Sequence, residues 1–203
     1  RLLEGIPLAI ELAAAWVGLL SCREIAREIE ANIDFLSSSM RDIPERHRSM
    51  RATFDHSWKL LSNAERNALC RLSAFHGGFK REEAEKIAGA SLVLLASLAS
   101  KSLVVRTGNG RYDLHEVIRQ YSLSRLREDN ALYLEIRDRH CEFYLKLVAD
   151  HERDLKSAAQ QSVMRDLVNE LDNFRAAWLW GIEREKYTQI GLSISGLGWF
   201  FEV

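Results

Sequence analysis

The segment SLVVRTGNGRYDL, from Ser102 to Leu114, interrupts an otherwise helical sequence and decides the fold. Its ends, Ser102–Arg106 and Arg111–Leu114, carry the apolar and β-branched residues of short strands. Between them, Thr107–Gly110 contains the Gly and Asn residues that tolerate positive φ in a hairpin loop. Helical patterns lie on both sides. Three helices, a β-hairpin and a closing helix are the parts of a winged helix, and Thr107–Gly110 would be its wing.

Upstream of this segment, helix formers dominate and only two prolines, Pro7 and Pro44, occur in the whole chain. SCRE (Ser21–Glu24) and SNAE (Ser62–Glu65) match the capping box, in which serine and glutamate side chains satisfy backbone N–H groups at a helix start. The apolar run Ile6–Leu20 predicts a core helix, because it is too short to span a bilayer. Further helices are predicted over 24–31, 33–38, 50–61, 82–88 and 92–99 and from 64 onward, with turns at 41–44 and 77–78.

Downstream of Asp129, the apolar residues follow the spacing of long, paired helices. They are Leu132, Ile136, Phe143 and Leu147, then Val163, Leu167, Leu171, Phe174 and Trp178, with Ile190–Phe201 as the next helix. We therefore predict a mainly α fold in three parts. A helical bundle forms a helical subdomain over 1–61, truncated at its N-terminal side, a winged-helix domain with a small β-hairpin covers 62–129, and an α-helical, TPR-like array starts in 130–203.

The helix start at Gly5-Ile6-Pro7 is the first candidate functional feature. Gly5 permits a sharp turn and Pro7 supplies the φ favoured at the first helical position, so the stretch predicts a tight loop that enters a buried helix. Such a loop can line a ligand site or can simply begin a helix. Because the chain opens on Arg1 and its last apolar segment has no cap, we also expect it to be a piece of a longer protein.

Composition narrows the classes of protein that the chain can represent. Of its 203 residues 47% are hydrophobic and 28% charged, which suffices for a folded core. A formal net charge of -1 supplies no global positive field for nucleic acid or an anionic membrane. The three cysteines, Cys22, Cys70 and Cys141, are widely spaced, which favours a reducing compartment over disulfides or a zinc site and predicts a cytoplasmic location.

Four segments in the same order resemble the C-terminal half of STAND-type nucleotide switches, the group of bacterial regulators and predicted ATPases related to NB-ARC proteins. The resemblance covers nearly the whole chain. The segments are Leu3–Ala13, Arg46–Phe54, Leu72–Phe79 and Tyr112–Tyr121.

The resemblance implies contacts with ADP or ATP held by an upstream nucleotide-binding domain of the same chain. In that family the Gly-x-Pro loop opens a helical subdomain beside the nucleotide, and the proline packs near the adenine, which assigns this role to Gly5 and Pro7. A histidine after the winged-helix hairpin reaches the β-phosphate of ADP in the resting state, and His115 stands at the matching place. A protein or small-molecule inducer would bind the helical array. A histidine that merely joins strand to helix is the alternative.

Catalysis is not expected of this chain by itself. It contains no Gly-x-x-x-x-Gly-Lys-Ser/Thr, and neither Gly77–Lys80 nor Gly108–Gly110 has the spacing that cradles phosphates. The P-loop, the Mg²⁺ ligands and the attacking water would belong to the upstream domain. The expected role is a regulatory segment, not an enzyme, that senses which nucleotide is bound and needs no cofactor of its own.

The main alternatives are a winged-helix DNA-binding domain and a helical protein-interaction module without nucleotide sensing. The helix expected to read bases, Leu92–Ser100, offers no Arg, Lys, Asn or Gln, so direct DNA binding is not expected and a buried packing helix fits better. Asp113 and His115 could be drawn into a hydrolase triad, but no Gly-x-Ser-x-Gly elbow accompanies them.

Other candidate residues have simpler explanations. The terminal aromatics could form a ligand groove, and core packing between helices is the alternative; they are Trp178, Trp180, Trp199, Phe200 and Phe201. Arg46, Arg48 and Arg51 could approach a nucleotide or form a solvated basic turn. The remaining histidines lack metal-ligand spacing, and His140 is expected to be partly buried in the core. They are His47, His56, His76, His140 and His151.

Overall fold

The computed structural model describes residues 3, 6–37, 49–158 and 160–201, and within these ranges the chain is mainly α-helical, as predicted. The helices are α1 (Pro7–Ala14), α2 (Cys22–Ala31), α3 (Met50–Lys59), α4 (Asn63–Leu72), α5 (Arg81–Glu83, continued by a π-helical turn over Ala84–Ala88), α6 (Leu92–Ser100), α7 (Glu116–Leu126), α8 (Asn130–Asp150), α9 (Glu152–Leu155), α10 (Gln160–Val168), α11 (Leu171–Glu183) and α12 (Tyr187–Phe201). A 3-10 turn covers Ile33–Phe35, and two strands, β1 (Val105–Arg106) and β2 (Tyr112–Asp113), precede α7. The predicted turn at 41–44, Gly5, Arg46, His47 and Arg48 lie outside the described residues.

Both predicted capping boxes are present. The Ser21 backbone N–H donates to Glu24 Oε2 at 2.8 Å, and the Ser62 backbone N–H donates to Glu65 Oε2 at 2.7 Å. In return, each serine Oγ accepts from the backbone N–H of its glutamate. These local hydrogen bonds place the starts of α2 and α4 where the sequence predicts them.

Helix α1 is shorter than the predicted core helix over Ile6–Leu20. It ends at Ala14, and the chain continues through turns in which the Trp16 and Val17 amides bond to carbonyls three residues back. This tighter winding lets Trp16 stack on Phe35, with ring centroids 4.8 Å apart. Consequently Val17 and Leu19 point to solvent, with 57% and 77% of their surface exposed, and the prediction of one buried helix over the whole run is wrong.

The hairpin forms where predicted, but its strands have two residues each. Val105 pairs with Asp113 and Arg106 with Tyr112, in antiparallel register. Ser102 adopts a φ of +58°, which interrupts an extended strand, so the predicted strand over Ser102–Arg106 is too long. Phe79 extends the sheet through an isolated bridge to Tyr112, with hydrogen bonds of 2.8 Å in both directions.

The residues of α4 to α12 share one continuous hydrophobic core, which joins the predicted winged-helix segment to the predicted array segment. Phe75 and Phe79 from the first segment and Tyr144 and Phe174 from the second belong to this core. A second core lies among α1, α2 and α3. Helix α7 contributes to both, since Ile118 belongs to the larger core while Val117 and Tyr121 belong to the smaller one. The closing helix of the winged-helix segment therefore connects the two cores.

Candidate functional site

Pro7 occupies the first turn of α1, as predicted for a Gly-x-Pro helix start. It is exposed, and the preceding residue, Ile6, is extended with φ -67° and ψ 110°. Behind it, Ala9, Leu12 and Ala13 are buried in the smaller core. The proline thus stands at the accessible end of a helix whose other face is packed.

His115 is the residue that immediately precedes α7. It is half-buried, lies between the buried Leu114 and the half-buried Glu116, and has an extended backbone with φ -54° and ψ 137°. The N-terminal end of a helix carries a partial positive charge, which suits an anionic ligand. Pro7 and His115 therefore both stand at helix starts, and the helices they begin, α1 and α7, share the smaller core.

Helix α7 is fixed to the helical subdomain by polar contacts as well as by packing. The Gln120 side-chain amide donates to the carbonyl oxygens of Ile29 at 2.9 Å and Glu30 at 3.2 Å, at the C-terminal end of α2. The Tyr121 hydroxyl donates to Asp55 Oδ1 of α3 at 2.6 Å, and burial together with this bond raises the pKa of Tyr121 to about 12. A displacement of α7 would break these contacts.

A buried polar network ties the hairpin to α11 and the residue before it. Arg111 on the hairpin and Glu170, which precedes α11, are only 6% and 1% exposed and form a two-pronged ion pair, with Nη2 and Oε2 2.9 Å apart. Asn173 donates to Glu170 Oε2 at 3.1 Å and to the Gly78 carbonyl at 2.9 Å. Its own Oδ1 accepts from the His76 backbone N–H at 2.7 Å. The segments predicted as a winged helix and as a helical array are therefore joined by specific bonds as well as by apolar packing.

His140 joins this network through Asn173, and a second buried carboxylate, Glu83, lies close enough to Glu170 to feel its charge. His140 Nε2 lies 3.2 Å from Asn173 Oδ1, and burial lowers the pKa of His140 to about 3, so the ring is neutral. The expectation that His140 is a core residue is confirmed, although it is fully rather than partly buried. Tyr144 donates to Glu83 Oε2 at 3.1 Å, and burial and the charge of Glu170 raise the pKa of Glu83.

Sequence reasoning missed the pair Arg111–Glu170. One signal was present, because Glu170 falls between Leu167 and Leu171 on the apolar side of the helical pattern, where a charge requires a partner. The identity of that partner, 59 positions earlier in the hairpin, could not be read from the spacing.

The surface that a winged helix would present to DNA is apolar. On α6, Leu95 and Leu98 are fully buried, while Val93 is 78% exposed and Leu92 is also exposed. The prediction of a buried packing helix therefore holds for one face only. The opposite face carries no base-reading side chain within α6, and Arg111 of the hairpin is engaged by Glu170.

The aromatic residues of the last helices have different environments. Trp180 is buried and donates through Nε1 to Asp138 Oδ1 at 2.7 Å. Trp178 lines an open apolar groove of about 530 Å³ between α11 and α12, together with Leu171, Leu179 and Ile194. The side chains of Trp199, Phe200 and Phe201 lie outside the described part of the chain. Arg51 pairs with Asp34 in a basic cleft beside α7.

The part of the chain that the structure describes shows neither a candidate metal cluster nor a candidate membrane span. There, no three His, Cys, Asp or Glu side chains converge in a way that could hold a metal ion. Nor does any helix within it combine the length and the apolar character that a bilayer crossing requires.

The fold and these contacts describe a mainly α protein in which α7 contributes buried residues to both hydrophobic cores. The chain is similar to proteins named provisionally as HTH-type transcriptional regulators, in Mycobacterium bovis and in Mycobacterium tuberculosis strain H37Rv, each 35% identical over 199 residues. The alignment takes in 93% of this chain but only 22% of each relative, so the chain spans about a fifth of the length of these proteins.

A further relative, an uncharacterised protein of Mycobacterium tuberculosis, is 34% identical over 139 residues, which are 63% of this chain and 35% of that protein. No family model matches the chain. No solved structure matches it either.

Proposed function

We propose that this chain is the regulatory, nucleotide-state-sensing segment of a STAND-type signal-transduction ATPase or transcriptional regulator. The observation that carries the proposal is the position of α7, which begins after His115 and is packed into both hydrophobic cores. A ligand that pulls on the start of α7 would act on the helical subdomain and on the winged-helix and array unit together. The similarity to proteins named as transcriptional regulators supports a regulatory role.

In this mechanism an upstream domain of the same protein holds the nucleotide and supplies any hydrolysis. His115 would hold the β-phosphate of ADP, and Pro7, with Gly5, would border the adenine. Loss of the His115 contact would free α7 to shift, and the buried Arg111–Glu170 pair would carry the array along with the hairpin. ADP and ATP can bias this equilibrium only by binding its two states with different affinities.

The proposal is tested by calorimetric titration of ADP and ATP into this chain and into a longer protein that includes the upstream domain. We expect binding that depends on His115 only in the longer protein. Because a hydrogen bond to a charged group contributes about 1.5–3 kcal/mol, His115→Ala should weaken ADP binding about 10- to 100-fold. His56→Ala, which removes an exposed histidine of α3, is the matched control and should leave ADP affinity unchanged.

The outcomes separate the proposal from its alternatives. If the longer protein binds no nucleotide, or if His115→Ala retains ADP as the wild type does, nucleotide sensing by this segment is wrong. A helical protein-interaction module then becomes the better account, and the apolar groove between α11 and α12 is the surface to examine. A DNA-binding role has less support, since the exposed face of α6 is apolar.

A further inference from the structure

A cleft of about 370 Å³ lies where the helical subdomain, α7 and α8 meet. Four arginines line it: Arg51 from α3, Arg119 from α7, Arg127 directly after the end of α7, and Arg137 from α8. The carboxylate among its lining residues is that of Glu30, at the exposed end of α2. Four guanidinium groups in one cleft require compensating negative charge, so the partners of each one decide what the cleft can bind.

Two of the four arginines are already paired. Arg51 forms an ion pair with Asp34, and Arg119 donates two hydrogen bonds of 2.7 Å to Glu116. These bonds hold the two guanidinium groups at the walls of the cleft and partly neutralise them.

The other two, Arg127 and Arg137, make no ion pair with any residue in the described ranges. They lie instead over aromatic rings, with the Arg127 guanidinium 5.6 Å from the Tyr133 centroid and that of Arg137 4.8 Å from the Trp180 centroid. Arg137 Nε is buried and has no hydrogen-bond partner among the described residues. A half-buried guanidinium with an unused donor is a group that an incoming anion would satisfy.

Two titratable groups at the cleft respond to its burial and to its arginines. Burial lowers the pKa of Arg137, and the charges of Arg119 and Arg127 act in the same direction, while Tyr133 and Glu183 act against them. Burial, together with the charges of Arg119 and Arg137, lowers the pKa of His76 to about 3, so this lining histidine is neutral. The aromatic rings stabilise the cations but supply no counter-charge.

We propose that this cleft binds a phosphate group, held by Arg127 and Arg137 with Arg119 at its wall, and that the bound anion fastens α7 to α8. Guanidinium groups match the geometry of phosphate oxygens and bind them with paired hydrogen bonds. The site uses only residues of this chain and is independent of the nucleotide contact proposed for His115.

The test is calorimetric titration of sodium pyrophosphate and of inorganic phosphate into the chain, with chloride at matched ionic strength as the blank. We expect saturable binding that Arg127→Gln and Arg137→Gln each weaken about tenfold or more. Arg139→Gln is the matched control, because Arg139 is an exposed arginine that lies on α8 with Arg137 and pairs with Glu135. His115→Ala should leave phosphate binding unchanged, which separates this site from the proposed nucleotide contact.

If Arg137→Gln loses its packing on Trp180 and fails to fold, Arg127→Gln still tests the proposal. Absence of binding at millimolar pyrophosphate overturns the proposal, as does binding that Arg139→Gln weakens as much as Arg127→Gln, since that would be general surface attraction.

Adding ADP as a third titrant distinguishes the source of the phosphate. Competition between ADP and pyrophosphate would support a nucleotide diphosphate, and pyrophosphate binding without competition would support a free phosphate or another phosphorylated metabolite.

Discussion

Replacing Glu170 by leucine removes one partner of the most deeply buried ion pair that joins the hairpin to the array. Arg111 would then remain 6% exposed with no carboxylate at its guanidinium, and Asn173 would lose its 3.1 Å bond to Glu170 Oε2. Breaking a buried pair by removing one partner costs about 3–5 kcal/mol, because the remaining charge stays desolvated. We therefore expect Glu170→Leu to lower the free energy of unfolding by about that amount.

Urea unfolding followed by circular dichroism measures this loss. With a dependence of about 2 kcal/mol per molar urea, the midpoint of unfolding should fall by roughly 1.5–2.5 M. Glu135→Leu is the matched control, since it removes the exposed partner of Arg139 on α8 and should cost less than about 1 kcal/mol.

The double variant Arg111→Met, Glu170→Leu provides the sharper comparison. If the cost comes from an uncompensated charge, replacing both partners with apolar side chains should restore most of the lost stability. The reasoning is refuted if Glu170→Leu unfolds at the same urea concentration as Glu135→Leu. It is equally refuted if the double variant is no more stable than the single one.

Three further predictions concern stability and reactivity. Gly78→Ala should destabilise the chain by more than about 1 kcal/mol, because Gly78 has a φ of +84° and a new Cβ would lie 2.9 Å from the Tyr112 carbonyl oxygen. Gly110→Ala is the control and should cost less, because Gly110 has a φ of +81° but its Cβ would meet open space. Equal urea midpoints for the two variants would contradict this account. Hydrogen bonds from Lys101, Ser97 and Ser62 lower the pKa of Glu65 to about 2, so the stability that ionised Glu65 contributes should be complete above pH 4.5 and lost as the pH falls towards 2. The urea midpoints of the wild type and of Glu65→Gln should therefore converge at the acid end of this range. A difference that stays constant with pH would contradict the prediction. A maleimide should label the exposed Cys22 first, because burial raises the pKa of the Cys70 and Cys141 thiols to about 11. Mass spectrometry should then show one fast adduct per folded chain. Rapid labelling of all three cysteines would show that the Cys70 and Cys141 thiols are accessible, against this prediction.

Local signals account for the part of the fold that could be predicted. The capping boxes at Ser21 and Ser62 lie within four residues of sequence, and the hairpin loop at Thr107–Gly110 depends on residues that tolerate positive φ. Helix starts and the turn could therefore be placed from the sequence. The strand over Ser102–Arg106 was predicted too long, because Ser102 takes a left-handed backbone conformation that its side chain does not signal.

Long-range pairing accounts for what could not be predicted. Glu170 finds Arg111 across 59 positions, and Gln120 reaches the end of α2 across about 90, so neither contact leaves a periodic trace in the sequence. The arginine cleft likewise draws on α3, α7 and α8 at once. The candidate nucleotide contacts, Pro7 and His115, are predicted from the resemblance of the sequence to a family. The structure adds that each of them stands at a helix start. Their role stays a prediction.

Helix α8 packs in the continuous core that it shares with α7, so a rotation of α7 would be transmitted along the length of α8. Its 21 residues, at about 1.5 Å each, form a rod roughly 31 Å long. Because α8 packs in the same core as Ile118 of α7, a tilt of about 5° at α7 would carry the far end of this rod through roughly 3 Å, given that rise per residue. Helices stacked on α8 would be displaced further in proportion to their distance from α7, so a small rotation of α7 would become a larger movement at the helices farthest from it.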